Sequence, residues 1–200
     1  MPFPSPLKRA LAVLASLLVI SGALAASSQT DNSRQTKAET LSFGGTAYLH
    51  RWSKNGQNEF TPASDKDLER WHDMVTINVY AAVRKGEQLA DLANSVLSKY
   101  QAHGKIVRAD SKPRTPQRPA EHLIVAVLGN GALLEAAFAR LVLIEGTGVV
   151  AVYSHRVYGK DAAGTLGEWL KTTGPSIEKT LMAWDQIPSP VALKQLPQSK

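Results

Sequence analysis

Apolar and polar positions alternate with two different periods along this chain, and the switches between them mark out the elements. From Asp73 to Tyr80, Val75, Ile77 and Val79 fall on one side and Thr76 and Asn78 on the other. That period of two predicts a strand with one buried and one polar face. From Leu89 the period changes: Leu89, Leu92, Ala93, Val96, Leu97 and Tyr100 recur at helical spacing. They predict an amphipathic helix docked by its stripe, with Gly104 as its C-terminal glycine. Phe43–Trp52 alternates with Gly44-Gly45 as a bulge or bend, and Ser53–Gly56 reads as a turn. Asn58–Pro62 reads as an irregular lead into a short helix over Ser64–Trp71, with Ser64 as its N-cap.

The second half continues in strands. Lys105–Asp110 is short, Glu121–Leu128 is continuously apolar, and Val149–Tyr158 is rich in Val and Tyr. Leu133–Ile144 carries both helical alanines and a Leu-Val-Leu-Ile run; glycines on either side favour a strand in a meander. Leu166, Trp169 and Leu170 start a terminal helix, Gly174-Pro175 interrupts it, and Ile177, Leu181 and Trp184 form the stripe of another. Closely spaced strands favour antiparallel pairing. The expectation is an α+β domain: a mainly antiparallel sheet of about five to six strands with helices packed on it.

The N-terminus has a different pattern. Lys8-Arg9 precede the apolar run Ala10–Ile20, and Ala23-Leu24-Ala25 supplies small residues at the right spacing for cleavage. Residues 1–25 therefore read as a secretory signal peptide, which leaves no stable membrane span after cleavage. Residues 26–40 are small and polar and read as a flexible lead-in. The domain spans 41–185, and 186–200, with three prolines, reads as a tail with local docking at most. The expected location is periplasmic or secreted.

Composition narrows the chemistry. The 200 residues include no cysteine, which excludes disulfides, thiolate nucleophiles and cysteine-ligated metals. Loss of the leader removes Lys8 and Arg9 and no acid, lowering the formal charge from +6 to +4. No dense basic block is present, and export also argues against nucleic acid as a partner. Phosphate-loop, dinucleotide, zincin and nucleophile-elbow motifs are all missing, so no catalytic residue, cofactor or metal is assigned. His50, His122 and His155 lie on predicted strands without metal-ligand spacing.

The cations are more informative. Ser111–Pro119 holds three prolines and the cations Lys112, Arg114 and Arg118. Three prolines forbid a regular helix, so this is a stiff exposed loop. With His122, His155 and Arg156, these residues form a candidate site for an anionic ligand or an acidic protein of the cell envelope, because guanidinium forks suit carboxylate and phosphate. Trp52, Trp71, Trp169 and Trp184 read as core aromatics. The functional expectation is an exported, non-catalytic binding or accessory protein. The alternative is an exported hydrolase built on Ser154, His122 and His155. Ser154 and His155 point to opposite faces of a strand, so Ser154 would need His122 as its base.

In the order of its elements over about residues 43–184, above all Asp73–Tyr80 followed by Leu89–Tyr100, the domain resembles the PsbP-like α/β/α sandwich. That resemblance implies an accessory or assembly role. His50-Arg51-Trp52, Asn58–Pro62 and Arg118–His122 resemble stretches of uncharacterised secreted bacterial proteins.

Overall fold

Gly44 and Gly45, at φ 58° and 81°, occupy the left-handed region that a two-residue hairpin turn needs. They split the expected first strand into β1 (Thr40–Phe43) and β2 (Thr46–Lys54). The computed structural model describes residues 39–199; the expected signal peptide lies outside them, as does most of the lead-in. Strand β3 (Gln57–Pro62) replaces the irregular segment expected there. Pro62 falls at its last position, where a missing N–H does least harm to a ladder.

No helix forms over Ser64–Trp71. Asp65 and Asp67 instead bond the backbone: Asp65 Oδ2 accepts the His72 and Asp73 N–H groups at 3.0 and 2.9 Å, and Asp67 Oδ1 accepts that of Glu69 at 2.8 Å. Such local bonds compete with helix formation. Strand β4 (Asp73–Tyr80) and helix α1 (Gly86–His103) follow as the periodicities predict. Gly104 is not a left-handed cap. It is extended and opens β5 (Gly104–Lys112), where an added Cβ would stand 2.0 Å from the Val127 carbonyl oxygen. After an exposed loop come β6 (Glu121–Asn130), β7 (Leu133–Ile144) and β8 (Thr147–Tyr158). The chain ends in α2 (Ala162–Thr172), α3 (Gly174–Ala183) and α4 (Pro190–Lys194).

The strands form one eight-stranded sheet in the order β1-β2-β3-β4-β8-β7-β6-β5, with every pairing antiparallel. The sheet is larger than the five to six strands expected because Gly44-Gly45 turns the first strand into a hairpin and Gln57–Pro62 pairs as a strand between β2 and β4.

Side chains leave the sheet on two faces. On the first face, Phe60, Val75, Ile77, Phe138, Ala151 and Tyr153 meet Leu166, Leu181 and Trp184 of the C-terminal elements. On the second, Ile124, Ala137, Leu141, Val150 and Val152 meet Leu89, Ala93, Val96 and Tyr100 of α1. The arrangement is a three-layer α+β sandwich in which central strands bury both faces. Thr76 and Asn78 are therefore 7 % and 5 % exposed, where the alternation alone predicted a wet face.

The C-terminal segment is also more engaged than expected. Ser189 Oγ accepts the Ala192 N–H at 3.2 Å and caps α4. Ile187, Leu193 and Leu196 are buried in the same cluster as Leu41 and Phe43, whereas Val191 is exposed. Trp71 and Trp184 are buried; Trp52 and Trp169 are half-buried.

Candidate functional site

Strands β5 and β6 pair Ser111 with His122 and Lys112 with Glu121, and residues 113–120 loop out beyond them. Alternation sends the two pairs to opposite faces. Lys112 and Glu121 point to the first face. There Lys112 Nζ donates to the Met182 carbonyl at 2.8 Å, and Glu121 Oε2 accepts from Arg140 Nε at 2.9 Å. Arg140 Nη2 also lies 2.9 Å from Glu121 Oε2, and Nη1 donates to the carbonyls of both Leu181 and Trp184 at 3.0 and 2.7 Å, so this buried arginine ties the end of α3 to the sheet.

Ser111 and His122 point to the second face, where Ser111 Oγ lies 2.8 Å from His122 Nδ1. They line an open groove of about 420 Å3, together with Ala93, Asn94 and Leu97 of α1 and Ala109 of β5. Burial pushes the His122 imidazole below its usual pKa. Its Nε2 is buried and has no hydrogen-bond partner among the described residues.

The loop above the groove is braced. Thr115 and Arg118 exchange backbone bonds of 2.8 and 3.3 Å, and Thr115 Oγ1 accepts the Arg118 N–H at 3.1 Å. Residues 111–119 are exposed throughout. The Arg114 and Arg118 side chains form no ion pair or hydrogen bond among the described residues. They are two open cations on a stiff turn beside His122.

The remaining expected site residues lie elsewhere. Across the ladders Arg156 is in register with Glu135 and Leu128, six positions from His122 on β6, or roughly 20 Å along the strand. It is also committed: Arg156 Nε donates to Glu135 Oε2 at 2.8 Å, and its guanidinium lies 3.8 Å from the Trp71 ring centroid. His155 is on the first face, in register with Asp73. Its Nδ1 is 2.9 Å from Asp73 Oδ1, which also accepts the Tyr153 hydroxyl at 2.6 Å, and its ring stacks on Trp169. Burial would raise the Asp73 carboxyl, but these two hydrogen bonds and the nearby histidines hold it below its usual value.

Ser154 shares the second face with His122 but stands four positions and two strands away, roughly 13 Å along the strand alone. His122 cannot serve Ser154 as a base across that gap. His50 shares the first face with His155 but stands three strands away, and bonds Ser53 Oγ at 2.7 Å. No group of three metal-ligating side chains occurs among the described residues.

The structure thus sets the loop that carries Arg114 and Arg118 at the strand ends next to Ser111 and His122, turns Lys112 to the other face, and separates His155 and Arg156 from them. Sequence reasoning missed Ser111. The signal was the length of the loop: pairing Lys112 with Glu121 across it sets Ser111 opposite His122.

Among the described residues no helix is long and apolar enough to cross a membrane. No protein-family model matches the chain, and no curated protein matches it. Among solved structures, the Ran-binding protein Mog1p of Saccharomyces cerevisiae aligns with a TM-score of 0.44 and 13 % identity, covering 70 % of this chain and 87 % of that one. A point mutant of Mog1 aligns at 0.43 and 10 %, covering 72 % and 90 %. Human STARD10 aligns at 0.31 and 11 %, covering 86 % and 82 %. Likeness this distant brings no function with it.

Proposed function

We propose that this chain is an exported, non-catalytic binding or accessory protein, periplasmic or secreted, whose ligand is an anionic group or an acidic partner. The observation that carries the reading is the pair Arg114 and Arg118, open cations on a braced loop beside the groove of His122. Guanidinium groups left without internal carboxylates are available to external ones. The leader pattern of residues 1–25 supports export, and a three-layer sandwich is compatible with the PsbP-like resemblance and its accessory role. Nucleic acid is not part of the proposal, since the chain lacks a dense basic block.

The test is equilibrium binding of the mature chain to polyglutamate at low and physiological salt. The double variant Arg114→Ala/Arg118→Ala is expected to bind about tenfold more weakly, a change of about 1.4 kcal/mol. Equal affinity in both proteins would overturn the reading.

A second reading, an exported hydrolase, keeps one geometric foothold in Ser111 Oγ at 2.8 Å from His122 Nδ1. A serine-directed fluorophosphonate probe decides it. Labelling that disappears in Ser111→Ala and His122→Ala supports a nucleophile–base pair; no labelling, or labelling kept in both variants, removes it.

A further inference from the structure

The two edges of the sheet are treated very differently. Edge strand β1 has four residues, while β5 has nine, and every residue of β5 except Ile106 is exposed. A long uncovered edge presents a row of backbone donors and acceptors to any extended chain that arrives. The side chains along it sort by face. Lys105, Arg108, Asp110 and Lys112 share the first face; Ile106, Ala109 and Ser111 share the second. Asp110, the acid among them, is already bonded to Arg108 at 2.8 Å, and Arg108 also pairs with Glu178 of α3 at 3.2 Å, which leaves Lys105 and Lys112 as the cations of the edge without a carboxylate partner among the described residues. Beyond the strand end stand Arg114 and Arg118. On the second face Ala109 opens into the groove walled by Ala93 and Leu97.

We propose that β5 is a docking edge for an extended, acidic segment of a partner protein, which adds to the sheet as a ninth strand beside Arg108–Lys112. The inference rests on the anionic-ligand reading and specifies its partner. An added strand alternates its side chains between the faces, so acidic residues at every second position meet the cations while small apolar residues between them enter the groove. A second copy of this chain is less suited, because the acid along its own edge, Asp110, is already paired with Arg108 and offers nothing to Lys105 and Lys112. The bulge between Ile106 and Arg108, with Val107 52 % exposed, interrupts the edge and confines regular pairing to the five residues after it.

Backbone geometry supplies the test. The Ser111 N–H is turned to its own neighbour Asp110 Oδ1 at 2.8 Å, away from the β6 ladder. By strand alternation the Ala109 N–H points the same way. Proline at Ala109 therefore removes a donor from the open side and leaves charge unchanged.

The probe is a synthetic peptide of about nine residues alternating valine and glutamate, a common strand length. It is titrated into the mature chain with amide hydrogen exchange as the readout. The expected result is slowed exchange at Ala109 and Ser111, at least tenfold weaker binding to Ala109→Pro with an unchanged thermal midpoint, and no binding of the valine–lysine peptide. Peptide binding with unprotected β5 amides, or equal binding to a folded Ala109→Pro, overturns strand addition; the anionic reading survives that result if Arg114→Ala/Arg118→Ala still weakens binding. Failure of the peptide to bind at all overturns strand addition, and the polyglutamate measurement then judges the broader reading separately. If Ala109→Pro does not fold, exchange in the unaltered protein decides alone.

Discussion

The imidazole of His155 lies flat on the indole of Trp169, with centroids 4.2 Å apart and planes inclined by 7°. Its Nδ1 meanwhile reaches Asp73 on the neighbouring strand at 2.9 Å. One side chain therefore joins β4, β8 and α2, far along the sheet from the basic loop. The placement argues for a fastening between sheet and helix, since the imidazole nitrogen nearest Asp73 and the ring face toward Trp169 are both occupied.

Asp73 should give this fastening a pH dependence. Its carboxyl titrates below its usual value in the folded chain, so the unfolded chain takes up the proton first. The stability it contributes is complete above about pH 4 and is lost as pH falls toward the lowered native value. Asp73→Asn is expected to flatten the acid limb of a plot of thermal midpoint against pH. An acid limb that keeps its slope in this variant would contradict the assignment.

His122 titrates in the opposite sense to a stabilising cation. Burial favours its neutral form, so the unfolded chain binds the proton more readily, and stability falls as pH drops below about 6.5. An NMR titration should place the His122 ring midpoint below about 6.5, the ordinary imidazole value. A midpoint at or above that value would show that the groove does not desolvate the ring.

Arg140 and Glu121 are 8 % and 9 % exposed, and Arg140 also holds two carbonyls at the end of α3. Glu121→Ala leaves a buried guanidinium short of its counter-charge and is expected to cost about 3 kcal/mol in denaturant unfolding. The apolar double variant Glu121→Leu/Arg140→Met should lose less than that, because it removes both charges together.

Gly104→Ala tests a close backbone approach. The new Cβ would meet the Val127 carbonyl oxygen at 2.0 Å and the Leu128 Cα at 2.9 Å. Neither can move without parting β5 from β6, so the midpoint of unfolding should fall by several degrees, corresponding to about 1–3 kcal/mol. At Gly167, where an added Cβ would meet nothing within 4 Å beyond its own helix backbone and chain neighbours, alanine should be neutral or slightly stabilising.

Local order was legible wherever a period ran uninterrupted. Val75 to Val79 announced β4, and Leu89 to Tyr100 announced α1. The glycines around Leu133–Ile144 resolved an ambiguous run in favour of a strand, which is β7. The misreadings arose where short-range chemistry overrode pattern. Asp65 and Asp67 spend their oxygens on backbone N–H groups, which competes with a helix capped by Ser64. Gly44-Gly45 reverses the chain where a bend was expected.

The site was legible only in part, because register is a property of pairing and not of composition. Nothing local says that His122 faces Ser111 while Arg156 faces Glu135. The exposed loop with Arg114 and Arg118 could be read from its prolines alone. Arg156 could not, since its burial against Trp71 depends on a segment that packs back from before β4.

Leu193 and Leu196 complete the same cluster that Leu41 and Phe43 begin. As the polypeptide leaves the ribosome, Phe43 of the first strand meets Tyr48 at once but its ring partners Tyr153 and Trp184 only more than about 100 residues later. Closure of that layer is consequently a late, non-local event, slow by comparison with a helical bundle of similar length. A cut ahead of Leu193 leaves that layer without its last two buried leucines.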